Sequence, residues 1–152
     1  MANEFQGVID QLNQLDGDQM RQIQRKALRK VGEIVQTAVV AHAPEKAEGD
    51  GGLLAPGELK ASIKARVHIA SDEGIASGDS SRVAIGPVGN DAQLVANWVE
   101  NGHVARRGKK KEGPPRFVPA YPFVRPAFDE TQQAAIDAYT ESVTADVQEA
   151  MK

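Results

Sequence analysis

The sequence predicts an α+β fold, with two long amphipathic helices packed on a small antiparallel β-sheet, a short helix and a basic hairpin. Three observations predict it. Apolar residues recur at helical spacing over residues 18–42 and again over 126–152, and between those stretches the pattern switches to strict alternation. The 152 residues are 41% hydrophobic and 26% charged, the size and composition of one globular domain with a core of its own. No internal repeat or second hydrophobic cluster divides the chain, so residues 1–152 read as a single domain.

The elements follow in order. Phe5, Val8, Ile9, Leu12 and Leu15 are spaced for a helix, and Asp16-Gly17 breaks it, so residues 1–17 read as an N-terminal helix or arm. Asp18 is the expected N-cap of the next helix. Its apolar stripe is Met20, Ile23, Ala27, Val31, Ile34, Ala38 and Ala41, with Arg21, Arg25, Lys26, Arg29 and Lys30 largely off it, and Pro44 closes it. Gly32 within that helix costs about 1 kcal/mol relative to alanine and marks an expected close contact. Residues 44–57 hold four glycines and two prolines and read as a flexible loop. A single helical turn is expected over Glu58 to Ser62.

Ile63, Ala65, Val67 and Ile69 then alternate with Lys64, Arg66 and His68, a strand with one buried and one basic face. After a polar loop, Val83 and Ile85 mark its hairpin partner, ending at Gly86-Pro87. Leu94, Val95, Trp98 and Val99 form a short helical stripe that Asp91 caps and Gly102 ends. Residues 103–107 and 116–120 are expected to pair around Gly108 to Gly113, making 103–120 a basic hairpin insertion. Pro126 opens the last helix, where its missing N–H leaves no donor wanting, and Asp129 and Glu130 are expected in the first turn. Phe128, Ile136, Tyr139, Val143, Val147 and Met151 form the stripe expected to pack against Ile23, Val31 and Ile34.

The net charge of −3 conceals segregation. Residues 18–42 carry five basic and two acidic side chains, residues 103–116 six and one, and residues 126–152 one and six. Such segments suit internal pairing or ordered contacts between subunits. With no cysteine there are no disulfides, thiol catalysis or cysteine-based metal sites, as suits a reducing cytoplasm. No apolar run reaches the roughly 18–20 residues needed to span a bilayer, and Met1 to Phe5 lack a signal peptide's basic start. Synthesis in a bacterial cytosol, without membrane contact, is the expectation.

Catalytic chemistry finds little support. His42, His68 and His103 fall on three elements, and no His-x-x-x-His or acidic cluster gathers them into a metal site. His42 closes a helix, where a cation suits the dipole. Ser71-Asp72 and Ser80-Ser81 follow no nucleophile elbow and read as loop. Gly49 to Gly52 and Gly86 to Gly89 lack the P-loop Lys-Ser/Thr and the dinucleotide fingerprint. The chain is therefore expected to be no enzyme and to hold no metal or cofactor. The run Arg106, Arg107, Lys109, Lys110 and Lys111, with Arg116, has enough charge to engage phosphates without sequence specificity. It has no interleaved aromatics for base stacking, and a solvated hairpin tip is the plainer reading.

Three pieces in one order are more specific: Val83 to Pro87, then Trp98-Val99-Glu100-Asn101-Gly102-His103, then Pro122-Phe123-Val124-Arg125-Pro126-Ala127-Phe128. Together they resemble the tail-component proteins of long-tailed bacteriophages, in the family called after gene product ten of a Hong Kong lambdoid coliphage. Its pattern is roughly aromatic-Val-Glu-x-Gly-Thr, then Pro-Phe-hydrophobic-Arg-Pro-Ala. Asn101 and His103 depart from it, and the basic insertion separates the two motifs. The resemblance runs loosely over residues 18–152.

It implies a structural virion protein, a neck or tail-completion subunit forming a homo-oligomeric ring at the head–tail junction. Implied partners are the connector or stopper, the tail terminator or tail tube proteins, and DNA in the channel. Trp98, Glu100, Gly102, Phe123, Arg125, Pro126 and Phe128 are the implied interface and structural motif residues. Glu100 is read either as the partner of Arg125, within the chain or across a subunit boundary, or as a solvated helix-end carboxylate worth about 0–1 kcal/mol. Trp98 reads as core before interface. A different class of function remains open: a small, non-sequence-specific nucleic-acid-binding accessory protein using the basic strand face and loop.

Overall fold

The computed structural model of the chain describes residues 17–45, 53–105 and 116–150. Its elements are α1 (Gly17–His42), α2 (Glu58–Ser62), β1 (Ile63–His68), α3 (Asp72–Ala76), β2 (Arg82–Pro87), α4 (Asn90–Asn101), β3 (His103–Ala105), β4 (Arg116–Val118) and α5 (Val124–Ala150). β1 pairs with β2 and β3 with β4, giving two small antiparallel sheets beside two long helices. This is the α+β fold the sequence predicts. The expected N-terminal helix, residues 46–52 of the 44–57 loop and the 106–115 hairpin tip lie outside the described residues. Contacts divide the chain into two compact units, one of Met1–Ile34, Ala65–Ala84 and Gln132–Lys152, the other of Val35–Lys64 and Ile85–Thr131.

In the first unit Ile23 and Ala27 of α1 are buried, with Ala70, Ala135 and Ser142. Gly32 is the close contact expected of it: a Cβ there would stand 3.1 Å from Ala65 Cβ of β1 and 3.1 Å from Val83 Cγ2 of β2. The strands therefore lie directly on the helix backbone. Lys26 of α1 pairs with Asp146 of α5. The connection from β1 to β2, expected to be a polar loop, contains α3. Ser71 caps it by accepting from the Gly74 N–H at 3.1 Å, and Asp72 and Glu73 occupy its first turn. A five-residue helix has no room for a periodic stripe, so only its cap and acidic start announce it.

In the second unit Val35 and Val39 line the inner side of α1, and Ala43 just after it, Leu59, Ile63, Ala92, Ala96, Phe123 and Ala127 are buried. Gln36 Nε2 donates to the Ile63 carbonyl at 2.8 Å, and Val88 N–H to the Ser62 carbonyl at 2.9 Å. His42 meets Glu130 at 2.7 Å.

Several expected details change. Asp18 lies inside the first turn of α1, bound to Arg21, and the N-cap of α4 is Gly89, with Asp91 inside the helix. On α1 Ala41 is exposed, and the buried row passes to Val35 and Val39 and on to Ala43 just beyond the helix. A row stepping by four drifts about 40° per step, so the buried row leaves a stripe of mixed three- and four-residue steps. Leu94 is exposed, and α4 turns Ala92 and Ala96 inward. On α5 Asp129 and Glu130 fall beyond the first turn, and of the expected stripe Tyr139, Val143 and Val147 are half-buried while Phe128 and Ile136 are exposed. Phe128 is 55% and Ile136 51% exposed, whereas Ala127, Thr131, Ala135 and Ser142 are buried. Small residues let a helix backbone come close to its neighbours, and large ones on that row would hold it off.

Candidate functional site

The motif residues converge where α4 ends and α5 begins. The first backbone N–H groups of a helix have no intrahelical acceptor, so a helix start inside a fold needs outside partners. At α5 one side chain supplies them. Glu100, in the last turn of α4, accepts at Oε2 from the N–H of Phe123 (2.8 Å) and Val124 (3.0 Å), and at Oε1 from that of Arg125 (3.3 Å). Position 126 is proline and has no N–H to satisfy. The carboxylate also sits at the positive end of the helix dipole.

Partial burial works against the Glu100 charge, but the N–H groups of Val124, Phe123 and Arg125, with the nearby Arg125 charge, outweigh it and hold the carboxyl below its usual range. Glu100 and Arg125 thus meet, through the main chain of residues 123–125 and not through a guanidinium–carboxylate bond. The Arg125 side chain is exposed.

The remaining motif residues build the frame. Phe123 is 0% exposed and is the apolar anchor expected of it. Gly102 ends α4 with φ 74°, and a Cβ there would lie 2.9 Å from both the Val118 carbonyl oxygen and the Ala120 nitrogen. That backbone conformation and that approach both require glycine. Trp98 is half-buried and stacks on His103, with centroids 5.0 Å apart at 24°. The Tyr121 N–H donates to the Val99 carbonyl at 2.7 Å. In β3–β4, His103 lies opposite Val118, Val104 opposite Phe117 and Ala105 opposite Arg116. This is the pairing expected of 103–107 and 116–120, shortened to three residues a side among those described. Phe128 stands on the rim of an apolar cleft with Pro87, Ala96, Asn97, Val124 and Arg125. The expected basic loop residues Arg106, Arg107, Lys109, Lys110 and Lys111 lie outside the described residues, as does the side chain of Arg116.

Of the groups considered for catalysis, His42, His68, Ser71 and Ser81 have structural partners. His68 binds Asp79 at 2.6 Å, and Arg82 binds the same carboxylate at 2.8 Å. Those two bonds, with the Ser80 N–H, push the Asp79 carboxyl down to about 2. Ser81 Oγ accepts from the Ala70 N–H at 3.1 Å and donates to Gln24 at 3.2 Å. No group of three or more metal-ligating side chains occurs among the described residues. No described helix is long and apolar enough to cross a membrane.

Sequence reasoning missed the capping of α5 by Glu100 and the pairing of His42 with Glu130. The signal for the first was present: a carboxylate in one motif, and a helix start with proline in the next.

The chain matches the family described as "Bacteriophage HK97-gp10, putative tail-component" over residues 6–102. The matched stretch contains Val83 to Pro87 and Trp98 to Gly102 and ends before Pro122. Searches of curated proteins and of solved structures gave no match.

Proposed function

Because this chain belongs to the HK97-gp10-like family of bacteriophage tail components, a family of structural phage proteins, we propose that it is a ring-forming neck or tail-completion subunit at the head–tail junction. The family match carries this reading, and the capped entrance to α5 supports it. A subunit that transmits load between a filled head and a tail needs rigid elements joined at fixed angles. The Glu100 cap ties the end of α4 to the start of α5, and Phe123 anchors the same point in the core. Nothing in that arrangement offers a nucleophile, base or oxyanion site. Its chemistry is that of a structural joint.

In this reading copies meet head to tail in a closed ring, one surface of each subunit against a different surface of the next. The ring stacks between a connector or stopper and the tail terminator or tail tube. The basic run from Arg106 to Lys111 faces an acidic partner ring or the DNA in the channel. Light scattering of the purified protein, alone and with its neighbouring gene products, tests this. A closed oligomer that joins its neighbours is the expected result. A monomer in both conditions would refute the ring, and salt-sensitive DNA retention by that monomer would favour the nucleic-acid-binding alternative.

A further inference from the structure

We propose that the outward face of α5 around Ile136, Asp137 and Glu141 docks the outward basic face of α1 (Arg25, Arg29 and Lys30) of a second copy. This rests on the ring reading above and names the two surfaces that close it. All six residues belong to the first compact unit.

The inner row of α5 is already committed to the core through Ala135 and Ser142. Ile136 points elsewhere, 51% exposed, with Asp137 and Glu141 exposed beside it. Gln133 donates to Asp137 Oδ1 at 2.8 Å and steadies that carboxylate without neutralising it. Asp137 and Glu141, one turn apart, share a face of α5, and the half-exposed Ile136 lies on its flank, an apolar and an acidic part of one outward surface.

The matching surface is on α1. Arg25, Arg29 and Lys30 are exposed, with Lys26, on an outward face of α1 that also carries Gln22 and one acid, Glu33. Lys26 is held by Asp146, but Arg25, Arg29 and Lys30 meet no carboxylate among the described residues. The basic row from Arg25 to Lys30 rises about 7.5 Å and the acidic row from Asp137 to Glu141 about 6 Å, at 1.5 Å per residue. One row can therefore lie against the other. Arginine and lysine stems also supply methylene surface to cover an isoleucine while their heads reach the acids.

The charges decide the occupant. Placing α5 against α5 would bring carboxylates together, and α1 against α1 would bring cations together. Only unlike faces attract, and in the ring reading each copy offers its α1 face to one neighbour and its α5 face to the other, so the contact is head to tail. DNA would suit the α1 row but be repelled by the α5 row.

The test is charge exchange on the full chain, read by sedimentation velocity. One variant carries Arg25→Glu, Arg29→Glu and Lys30→Glu, and the other carries Asp137→Lys and Glu141→Lys. Each alone is expected to raise the concentration needed for assembly at least about tenfold, equal to 1.4 kcal/mol. An equimolar mixture is expected to recover the wild-type size, because the acidic α1 of one variant meets the basic α5 of the other. Recovery on mixing also excludes misfolding as the cause of the losses. If both variants assemble like the wild type, the ring stands and this interface is refuted. If neither recovers on mixing, the proposed pairing is likewise refuted. Should the α1 variant lose only DNA retention, its basic face serves DNA and the proposal falls. A wild-type chain that stays monomeric with its neighbours would remove the ring reading itself, and this contact with it.

Discussion

Replacing Glu100 with alanine is the sharpest perturbation the structure offers. It removes the acceptor of the Phe123 and Val124 N–H groups, both in partly buried surroundings, while the exposed Arg125 N–H can turn to water. Leaving a buried donor unsatisfied costs about 1–3 kcal/mol, and the lost charge at the helix start adds about 0.3–1 kcal/mol. The expected loss is about 2–4 kcal/mol, or roughly 5–15 °C in melting temperature for a chain of this length. Glu100→Gln keeps one acceptor oxygen and is expected to lose about 1 kcal/mol.

The sign with pH follows from the lowered carboxyl. Its folded pKa lies below the usual 4.5, so its contribution is complete above that value and disappears as the pH falls through the folded pKa. The difference between wild type and Glu100→Gln should therefore be full at neutral pH and close in acid. Chemical denaturation of the three proteins across this range measures it. Equal stability of Glu100→Ala and wild type at neutral pH, or a gap that widens in acid, would refute the cap.

Other outcomes follow from the same geometry. Ala127→Leu should overpack a position with 0% exposure and cost about 1–3 kcal/mol, while Phe128→Ala should stay within about 0.5 kcal/mol, as calorimetry will show. Gly102→Ala meets both a left-handed backbone and two main-chain atoms at 2.9 Å, so its urea midpoint should fall further than that of Gly32→Ala. At Gly32 about 1 kcal/mol of helix propensity offsets crowding against two side chains. Replacing Lys109, Lys110 and Lys111 with serine should leave the melting temperature nearly unchanged and weaken docking to neighbouring gene products, most at low salt. Infectious-particle yield from a complemented knockout is the readout.

The existence of the elements was legible because the apolar spacing is strong: α1, β1, β2 and α4 fall close to where their periods place them. Which side of α5 is buried was not. The rule that large apolar residues point inward selected Phe128 and Ile136, but that helix is buried along Ala127, Thr131, Ala135 and Ser142, whose low hydrophobicity leaves a faint trace. Glu100 shows a different limit. Both ends of its interaction were visible as motifs, and pairing by side-chain charge pointed to Arg125. The actual acceptor–donor match uses backbone N–H groups, which every residue type but proline carries and which no residue pattern displays directly.

The Glu100 cap also makes the stretch between Gly102 and Phe123 a closed excursion. Its two ends are fastened at the neck by the Glu100 bonds to residues 123–125 and by the Tyr121–Val99 bond. Changes in the part of this stretch beyond His103 and before Val118 are expected to leave the bearings of both helices alone, and doubling the length of such a loop costs only about 0.6 kcal/mol. The segment is thus a natural splice point, where charge, length or an entire foreign peptide can be exchanged without redrawing the body that carries it.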